Sequence, residues 1–426
     1  MSKIYKKKIL IIGLGYVGLT LGLALANKGL KIWGYDKNRF IKKTLLKKKS
    51  HIFEKNIDSI LNKNLHKNFF LTDEINSSFD TYIITVGTPV NNKRANLAYI
   101  KEVTKKIAKN IQNKPQLIYR STLPIGTCNK VIIPILKKHN LNPGIDFDIS
   151  FAPERTVEGN AIQELSSLPQ IISGYNSVSI ERCSKLFQRL TKKIFKVKDF
   201  ETAEIVKLVN NSYRDLSFAY SNQIAMICSK YNLSANNVLK ISNKDYPRNI
   251  IPIPSPGVGG PCLTKDPYIL GNEIKTKKTN IFEIGRTINN KIVNKLIDIV
   301  KKNCKNYNEK ILICGLSFKG YPETKDYRGS GTLIFIKKLE KYKLELLDPL
   351  FSNKEIRELN VKPLNNIKNS FHKIIIMNNN KYFKTKSFQR KVLTLLKKNG
   401  EIYDYWDVFN KKLLKKNINY FHIGES

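Results

Sequence analysis

The chain has 426 residues, 41% of them hydrophobic, which is enough for two or three separate cores, and no apolar run approaches the roughly 18 residues of a membrane span. Its formal net charge of +41 comes from Lys residues spread end to end, without a helix-turn-helix, zinc-finger or aromatic-basic RNA pattern, so no specific nucleic-acid partner is expected. Six cysteines without a C-x-x-C pair, and five histidines that do not cluster with them, give neither a disulfide framework nor a metal site.

Lys8–Ile12 is a short apolar run ending in Gly13, and Val17, Leu21, Ala24 and Leu25 then recur at helical spacing over Tyr16–Asn27. This reads as strand, tight turn, helix. Residues 1–8 lead straight into that strand rather than into a cleavable signal segment, so a cytoplasmic protein is expected. A second strand over Lys31–Tyr35 ends at Asp36, and further runs lie at 81–86, Gln116–Tyr119 and Asp148–Phe151. Such alternation predicts a parallel, doubly wound sheet.

Gly13-Leu14-Gly15-Tyr16-Val17-Gly18 fits G-x-G-x-x-G between strand and helix, with Asp36 at the next strand end. Gly13 allows the turn, Gly15 lets backbone approach a pyrophosphate, and Gly18 lets the helix pack closely. The N–H groups at the helix start, around Tyr16 and Val17, offer partial positive charge. Asp36 is placed for ribose hydroxyls and repels a ribose phosphate, which selects NAD over NADP. Thr88 and Thr122 follow strands on the same cofactor-facing edge.

Residues 202–230 contain no Gly or Pro and read as one long helix, with Ile205, Val209, Leu216 and Ala219 on a stripe. Its length suits a spine between domains or a surface for a second subunit. Lys207 and Asn211 lie one turn apart on it, an ammonium and an amide suited to a developing oxyanion. Ser255-Pro256-Gly257-Val258-Gly259-Gly260-Pro261-Cys262-Leu263-Thr264-Lys265-Asp266 follows. Glycines at that density, Gly259 among them, let backbone approach a ligand, and a cysteine with a cation and a carboxylate just beyond suits a nucleophilic thiolate. Near Glu309 the opening theme returns, since Lys310-Ile311-Leu312-Ile313-Cys314-Gly315-Leu316 resembles Lys8-Ile9-Leu10-Ile11-Ile12-Gly13-Leu14. A second Rossmann-like sheet is therefore expected, with strands at 344–347, 373–377 and 400–403.

The ordered motifs resemble the UDP-glucose/GDP-mannose dehydrogenase family, including its UDP-N-acetylhexosamine 6-dehydrogenases. Besides the two glycine motifs and Lys207 with Asn211, the resemblance runs through Val86-Gly87-Thr88-Pro89, Ser121-Thr122-Leu123-Pro124-Ile125-Gly126-Thr127, Ala152-Pro153-Glu154-Arg155 and Gly315-Leu316-Ser317-Phe318-Lys319. It implies an α/β fold: two Rossmann-like doubly wound parallel-sheet domains joined by a central helical domain with a long spine helix. The implied limits are 1–200 for NAD binding, 201–303 for a dimerisation domain carrying the cysteine loop, and 304–426 for the nucleotide sugar. It also implies a homodimer or higher homo-oligomer.

For chemistry, the resemblance implies four-electron oxidation of carbon 6 of a nucleoside-diphosphate sugar to the uronate, a product used in surface polysaccharide synthesis. Cys262 becomes the nucleophile, Lys207 and Asn211 the oxyanion stabilisers, and Thr122, Glu154, Glu158 and Asp266 candidates for placing water and moving protons. Glu154, Arg155, Lys207, Asn211, Arg248, Gly259 and Lys319 would touch the substrate, Arg248 by reaching into a neighbouring subunit's site. Arg155 after Glu154 resembles the N-acetylhexosamine branch, whereas Lys265-Asp266 resembles the glucose branch. The implied substrate is a UDP-N-acetylhexosamine such as UDP-N-acetylmannosamine, with UDP-glucose the alternative and GDP-mannose third. A catalytically silent binder of the same fold would have no use for Cys262, Lys207, Asn211 and Asp266 together.

Overall fold

Four of the five residues of Lys8–Ile12 (β1) are buried, as a strand covered on both faces requires. Ile9 and Ile11 enter one core with Leu21, Leu25 and Ile32, while Leu10 and Ile12 enter a second with Ile84, Leu117 and Tyr119. The computed structural model describes residues 7–274, 276–364, 371–414 and 417–425. They fall into two compact units, one taking in the chain up to Asn210 together with Tyr268–Glu273, the other Asn211–Pro267 and the chain from Ile274 onward.

The first unit continues with β2 (Lys31–Tyr35), β3 (Phe69–Leu71), β4 (Thr81–Ile84), a short hairpin of β5 (Val90–Asn91) and β6 (Arg94–Ala95), then β7 (Gln116–Tyr119), β8 (Asp148–Phe151), β9 (Gln170–Gly174) and β10 (Ile194–Lys196). The main sheet has the order β10-β9-β8-β7-β4-β1-β2-β3. Its strands pair in parallel except β8 with β9, so β9 and β10 run against the rest. The chain reverses its direction of travel between β1 and β4. In open α/β sheets the crevice at that switch point, beyond the strand C-termini, is where ligands bind.

The second unit holds β11 (Lys310–Cys314), β12 (Lys343–Leu347), β13 (Lys362–Pro363), β14 (Phe371–Ile376), β15 (Leu396–Asp404) and β16 (Asn419–Phe421), all parallel, in the order β13-β12-β11-β14-β15-β16. The helix Ile281–Lys302 contributes Ile292, Val293, Leu296, Ile297 and Val300 to a core shared with Ile311, Ile313, Phe335 and Tyr403. The molecule is thus α/β, with two Rossmann-like doubly wound sheets and a helical central region.

The spine helix is Phe200–Cys228. Of the expected stripe, Ala219 is buried and Ile205 and Leu216 are half-buried, while Val209 is 46% exposed; Glu204, Lys207, Leu208, Asp215 and Asn222 are buried as well. The helix turns its polar residues inward because they have partners there, and leaves Val209, Tyr213, Tyr220 and Ile227 outside.

Candidate active site

The glycine motif is the turn from β1 into the helix Tyr16–Asn27 (α1). Gly13 has φ +96°, and a Cβ on Gly18 would lie 1.8 Å from the Gly13 carbonyl oxygen, so only glycine permits this approach of helix to strand. Gly15 is different. A Cβ there would meet nothing within 4 Å, which leaves the space above it open to a ligand. Gly15 caps α1 without any side-chain bond and no acidic residue occupies the first turn, so no side chain of the helix's own first turn neutralises its positive end.

Asp36 ends β2 and accepts the Leu14 N–H on Oδ2 and the Asn38 N–H on Oδ1, both at 2.8 Å. Each oxygen keeps a lone pair for a ribose hydroxyl. A cavity of about 350 Å³ opens beside it, lined by Gly13, Gly15, Asp36, Val86, Gly87 and Tyr99 among others. Lys37 Nζ sits 4.5 Å above the Tyr99 ring, and both residues line the cavity. Ser121 Oγ donates to the Val86 carbonyl at 2.6 Å, joining the ends of β4 and β7. Thr122 is half-buried and Thr88 buried, and neither lines the cavity, although Val86 and Gly87 just before Thr88 do. Cradle, acid and cavity fit a dinucleotide.

Glu154 follows β8 and is buried. Arg120 Nε and Nη2 donate to its Oε2 at 2.9 and 2.7 Å, while the N–H groups of Arg155 and Thr156 reach Oε1 at 2.7 Å each. Burial opposes ionisation of this carboxyl, but the Arg120 charge, the Thr156 N–H and the Lys207 charge outweigh it and hold Glu154 below the usual carboxylate range. Arg155 and Glu158 lie on the same half-buried loop. The next residue ties that loop to the glycine motif, since Gly159 N–H reaches Tyr16 Oη at 2.6 Å and Glu54 Oε2 at 2.9 Å, and Tyr16 itself donates to Glu54.

In the second unit, Cys262 is exposed at the end of its glycine loop. The remaining five cysteines are buried or half-buried, and burial raises their thiols, that of Cys304 to about 11. The Cys262 carbonyl accepts the N–H groups of Lys265 and Asp266 at 3.1 and 2.9 Å, folding the chain back into a short helix that starts at Asp266. Asp266 is fully buried, accepts Asn211 Nδ2 on Oδ2 at 2.6 Å, and has Lys265 Nζ at 3.9 Å from Oδ1. Gly259 owes its lack of a side chain to packing: a Cβ would stand 2.4 Å from the Gly329 carbonyl oxygen.

The glycine turn of the second sheet repeats that of the first. Gly315 has φ +104°, and Asp348 after β12 accepts the Leu316 N–H on Oδ2 at 2.7 Å, as Asp36 accepts that of Leu14. Asp348 also takes the Leu350 N–H and is buried, and burial raises its carboxyl against those N–H groups. Lys319, at the equivalent strand-end turn, lies 5.6 Å over the Phe318 ring. Asn378 donates to the Ser317 carbonyl, Asn379 accepts Gly320 N–H and Asn380 caps the turn at Lys381–Lys384, so this asparagine run shapes the same strand-end surface. Arg248 stands apart, exposed against the Tyr246 ring.

Arg120, Glu54, Asp215 and Arg286 were not singled out from the sequence. A cation closing the apolar run Gln116-Leu117-Ile118-Tyr119-Arg120 was the available signal for the first, because a buried arginine needs an acid.

The fold and the cradle define an NAD-dependent dehydrogenase. Residues 7–191 match the NAD binding domain of the UDP-glucose/GDP-mannose dehydrogenase family, 201–291 its central domain and 312–411 its UDP binding domain. A UDP-N-acetyl-D-mannosamine dehydrogenase from Campylobacter jejuni is 30% identical over 342 residues, 78% of this chain and 83% of that one. An NDP-N-acetyl-D-galactosaminuronic acid dehydrogenase from Ralstonia solanacearum is 28% identical over 326 residues, 74% of this chain and 76% of its own. The solved UDP-D-ManNAc dehydrogenase from Pyrococcus horikoshii superposes with a TM-score of 0.83 at 28% identity, covering 98% of this chain and 99% of that one. The chain belongs to the UDP-glucose/GDP-mannose dehydrogenase family. Its activity is the NAD-dependent oxidation of a nucleotide sugar. No helix among the described residues is long and apolar enough to cross a membrane.

Proposed function

We propose that the protein oxidises carbon 6 of a UDP-N-acetylhexosamine, such as UDP-N-acetylmannosamine, to the uronate through a thioester on Cys262. The observation that carries this reading is the exposed Cys262 at the end of its glycine loop, with Asp266 directly behind it holding Asn211. NAD, when bound, would supply the hydride acceptor, one molecule for each oxidation: the first takes the carbon-6 alcohol to the aldehyde, the second takes the Cys262 adduct to the thioester.

The Cys262 thiolate adds to the aldehyde carbon, and the carbonyl oxygen becomes an anion. The Lys207 ammonium and the second N–H of the Asn211 amide stabilise that anion. Loss of hydride from the adduct leaves the thioester. Water then adds, the C–S bond breaks, and Cys262 departs as the product carboxylate forms. Glu158 takes the proton from that water, with Thr122 placing it. Glu154 is a poorer base because Arg120 and two N–H groups fill its oxygens, and Asp266 because it is buried and committed to Asn211. Arg155, Gly259 and Lys319 hold the substrate.

The sugar assignment rests on Arg155 and on the N-acetylated sugars in the two relatives' names; Lys265-Asp266 favours UDP-glucose as the second reading. Division into domains at 1–200, 201–303 and 304–426 goes with this reading, as do a cytoplasmic enzyme and a uronate destined for surface polysaccharide. So does a homodimer, in which a second copy covers Val209, Tyr213, Tyr220 and Ile227, spaced 4, 7 and 7 residues apart on one face of the spine helix. Arg248 would then meet the neighbouring site. The test offers the purified protein NAD with UDP-N-acetylmannosamine, UDP-N-acetylglucosamine, UDP-N-acetylgalactosamine, UDP-glucose and GDP-mannose, and identifies products by mass. A uronate from an N-acetylhexosamine supports the reading, whereas one from UDP-glucose alone overturns the sugar assignment.

A further inference from the structure

The loop that ends in Cys262 is held from one side by a single buried network. Arg286 Nη1 donates to Asp215 Oδ1 at 2.7 Å and to the Val258 carbonyl at 3.2 Å, while Nη2 reaches Asn290 Oδ1 at 3.0 Å. Asn289 Nδ2 donates to the Asp215 carbonyl and to Oδ1 at 3.0 and 2.9 Å, and Asn289 Oδ1 accepts Asn222 Nδ2 at 2.9 Å. Asn222 Oδ1 in turn accepts the Ser255 N–H at 2.9 Å. The loop is thereby fixed at Ser255 and at Val258, the second point four residues before Cys262. On its other side Gly260 N–H bonds the Arg328 carbonyl at 2.9 Å, and Gly260 is so close to Phe318 that a Cβ would come within 2.8 Å of the ring.

Stability does not account for this pair. A buried ion pair gains little over apolar residues of the same shape, and here Asp215 Oδ2 and Arg286 Nε are also buried without a hydrogen-bond partner among the described residues, each a further desolvation cost. Burial pushes the Asp215 carboxyl up while the Arg286 guanidinium pulls it back, so the ionised carboxylate depends on the arginine beside it. What the arrangement does supply is a rigid donor aimed at one loop carbonyl. We propose that Arg286, seated on Asp215, is a positioning residue that sets the height of the Cys262 loop for attack. This rests on Cys262 being the nucleophile.

Arg286→Lys keeps a cation opposite Asp215 but loses the fork that also reaches Val258. Its kcat should fall between tenfold and about a hundredfold, with KM for NAD within about twofold of wild type and the melting temperature little changed. Arg286→Met should lose at least as much turnover, and if it does not fold the lysine variant decides. Thr287→Ala, on the exposed side of the same helix, serves as the control and should turn over normally. The inference is overturned if folded Arg286→Lys keeps wild-type kcat, or if kcat falls only together with melting temperature and NAD affinity. Cys262→Ser, assayed alongside, separates the two claims: full turnover to the acid there removes the nucleophile reading and this inference with it.

Discussion

Arg120 closes on Glu154 with two N–H bonds that end on the same oxygen, Oε2, at 2.9 and 2.7 Å. Two backbone N–H groups fill the other oxygen, so the carboxylate anchors the loop that carries Arg155 and Glu158. The folded chain lowers its pKa, and its stabilising contribution is complete above the unfolded value of about 4.3 and is lost as pH falls through the lower folded value. Glu154→Gln should therefore cost about 3–5 kcal/mol near neutral pH, because Arg120 is left buried and unpaired. Urea midpoints measured from about pH 7 to about pH 3.5 should show the gap to wild type narrowing only at the acid end. A gap independent of pH would mean that Glu154 is not held ionised.

Gly15 and Gly18 should respond to alanine in opposite ways. Gly15→Ala has a permitted φ of −65° and open space, so the variant should melt like wild type yet lose NAD binding by tenfold or more, since its methyl group fills the cradle. Gly18→Ala drives a methyl group into the Gly13 carbonyl and should lower the melting temperature as well. Calorimetric NAD titration with thermal melts distinguishes them.

The two aspartates of the repeated turn, Asp36 and Asp348, should likewise separate. Asp36→Ala removes the strand-end acid that lines the cavity and should raise KM for NAD about tenfold or more. Asp348→Ala loses the buried acceptor of three N–H groups and should cost about 1–3 kcal/mol of stability while leaving KM for NAD unchanged. A change in NAD affinity in the second variant would argue against the division of labour between the sheets.

The sequence made these turns legible because glycine motif, strand and acid lie within one βαβ unit and each glycine has a local cause. The same holds for Cys262 and Asp266, joined by one turn of chain. Arg120 with Glu154 and Arg286 with Asp215 were not legible, since each pair spans a long stretch of chain and no periodicity announces it. On the spine helix the apolar stripe was legible, but not the burial of the charged Glu204, Lys207 and Asp215 or the exposure of Val209. Partners rather than hydropathy decide that face. Nor did any local signal give the direction of β9 and β10, because an apolar strand reads alike in both senses.

Cys262→Ser should fold, bind NAD and form no uronate in steady state, because a serine oxygen leaves poorly in the hydrolytic step. Glu158→Gln should instead form the acyl-enzyme and release it slowly, visible as a mass increase on the peptide containing Cys262. Rapid release in that variant would move the base to another carboxylate.

The most direct test of the thioester route is the number of NADH molecules formed per sugar consumed by the wild-type protein with its best substrate. Two per sugar, with no free aldehyde captured by added semicarbazide, is the expected result, because the aldehyde passes to Cys262 and is oxidised again before it can leave. One NADH per sugar with aldehyde in solution would contradict the account and leave a simple alcohol dehydrogenase.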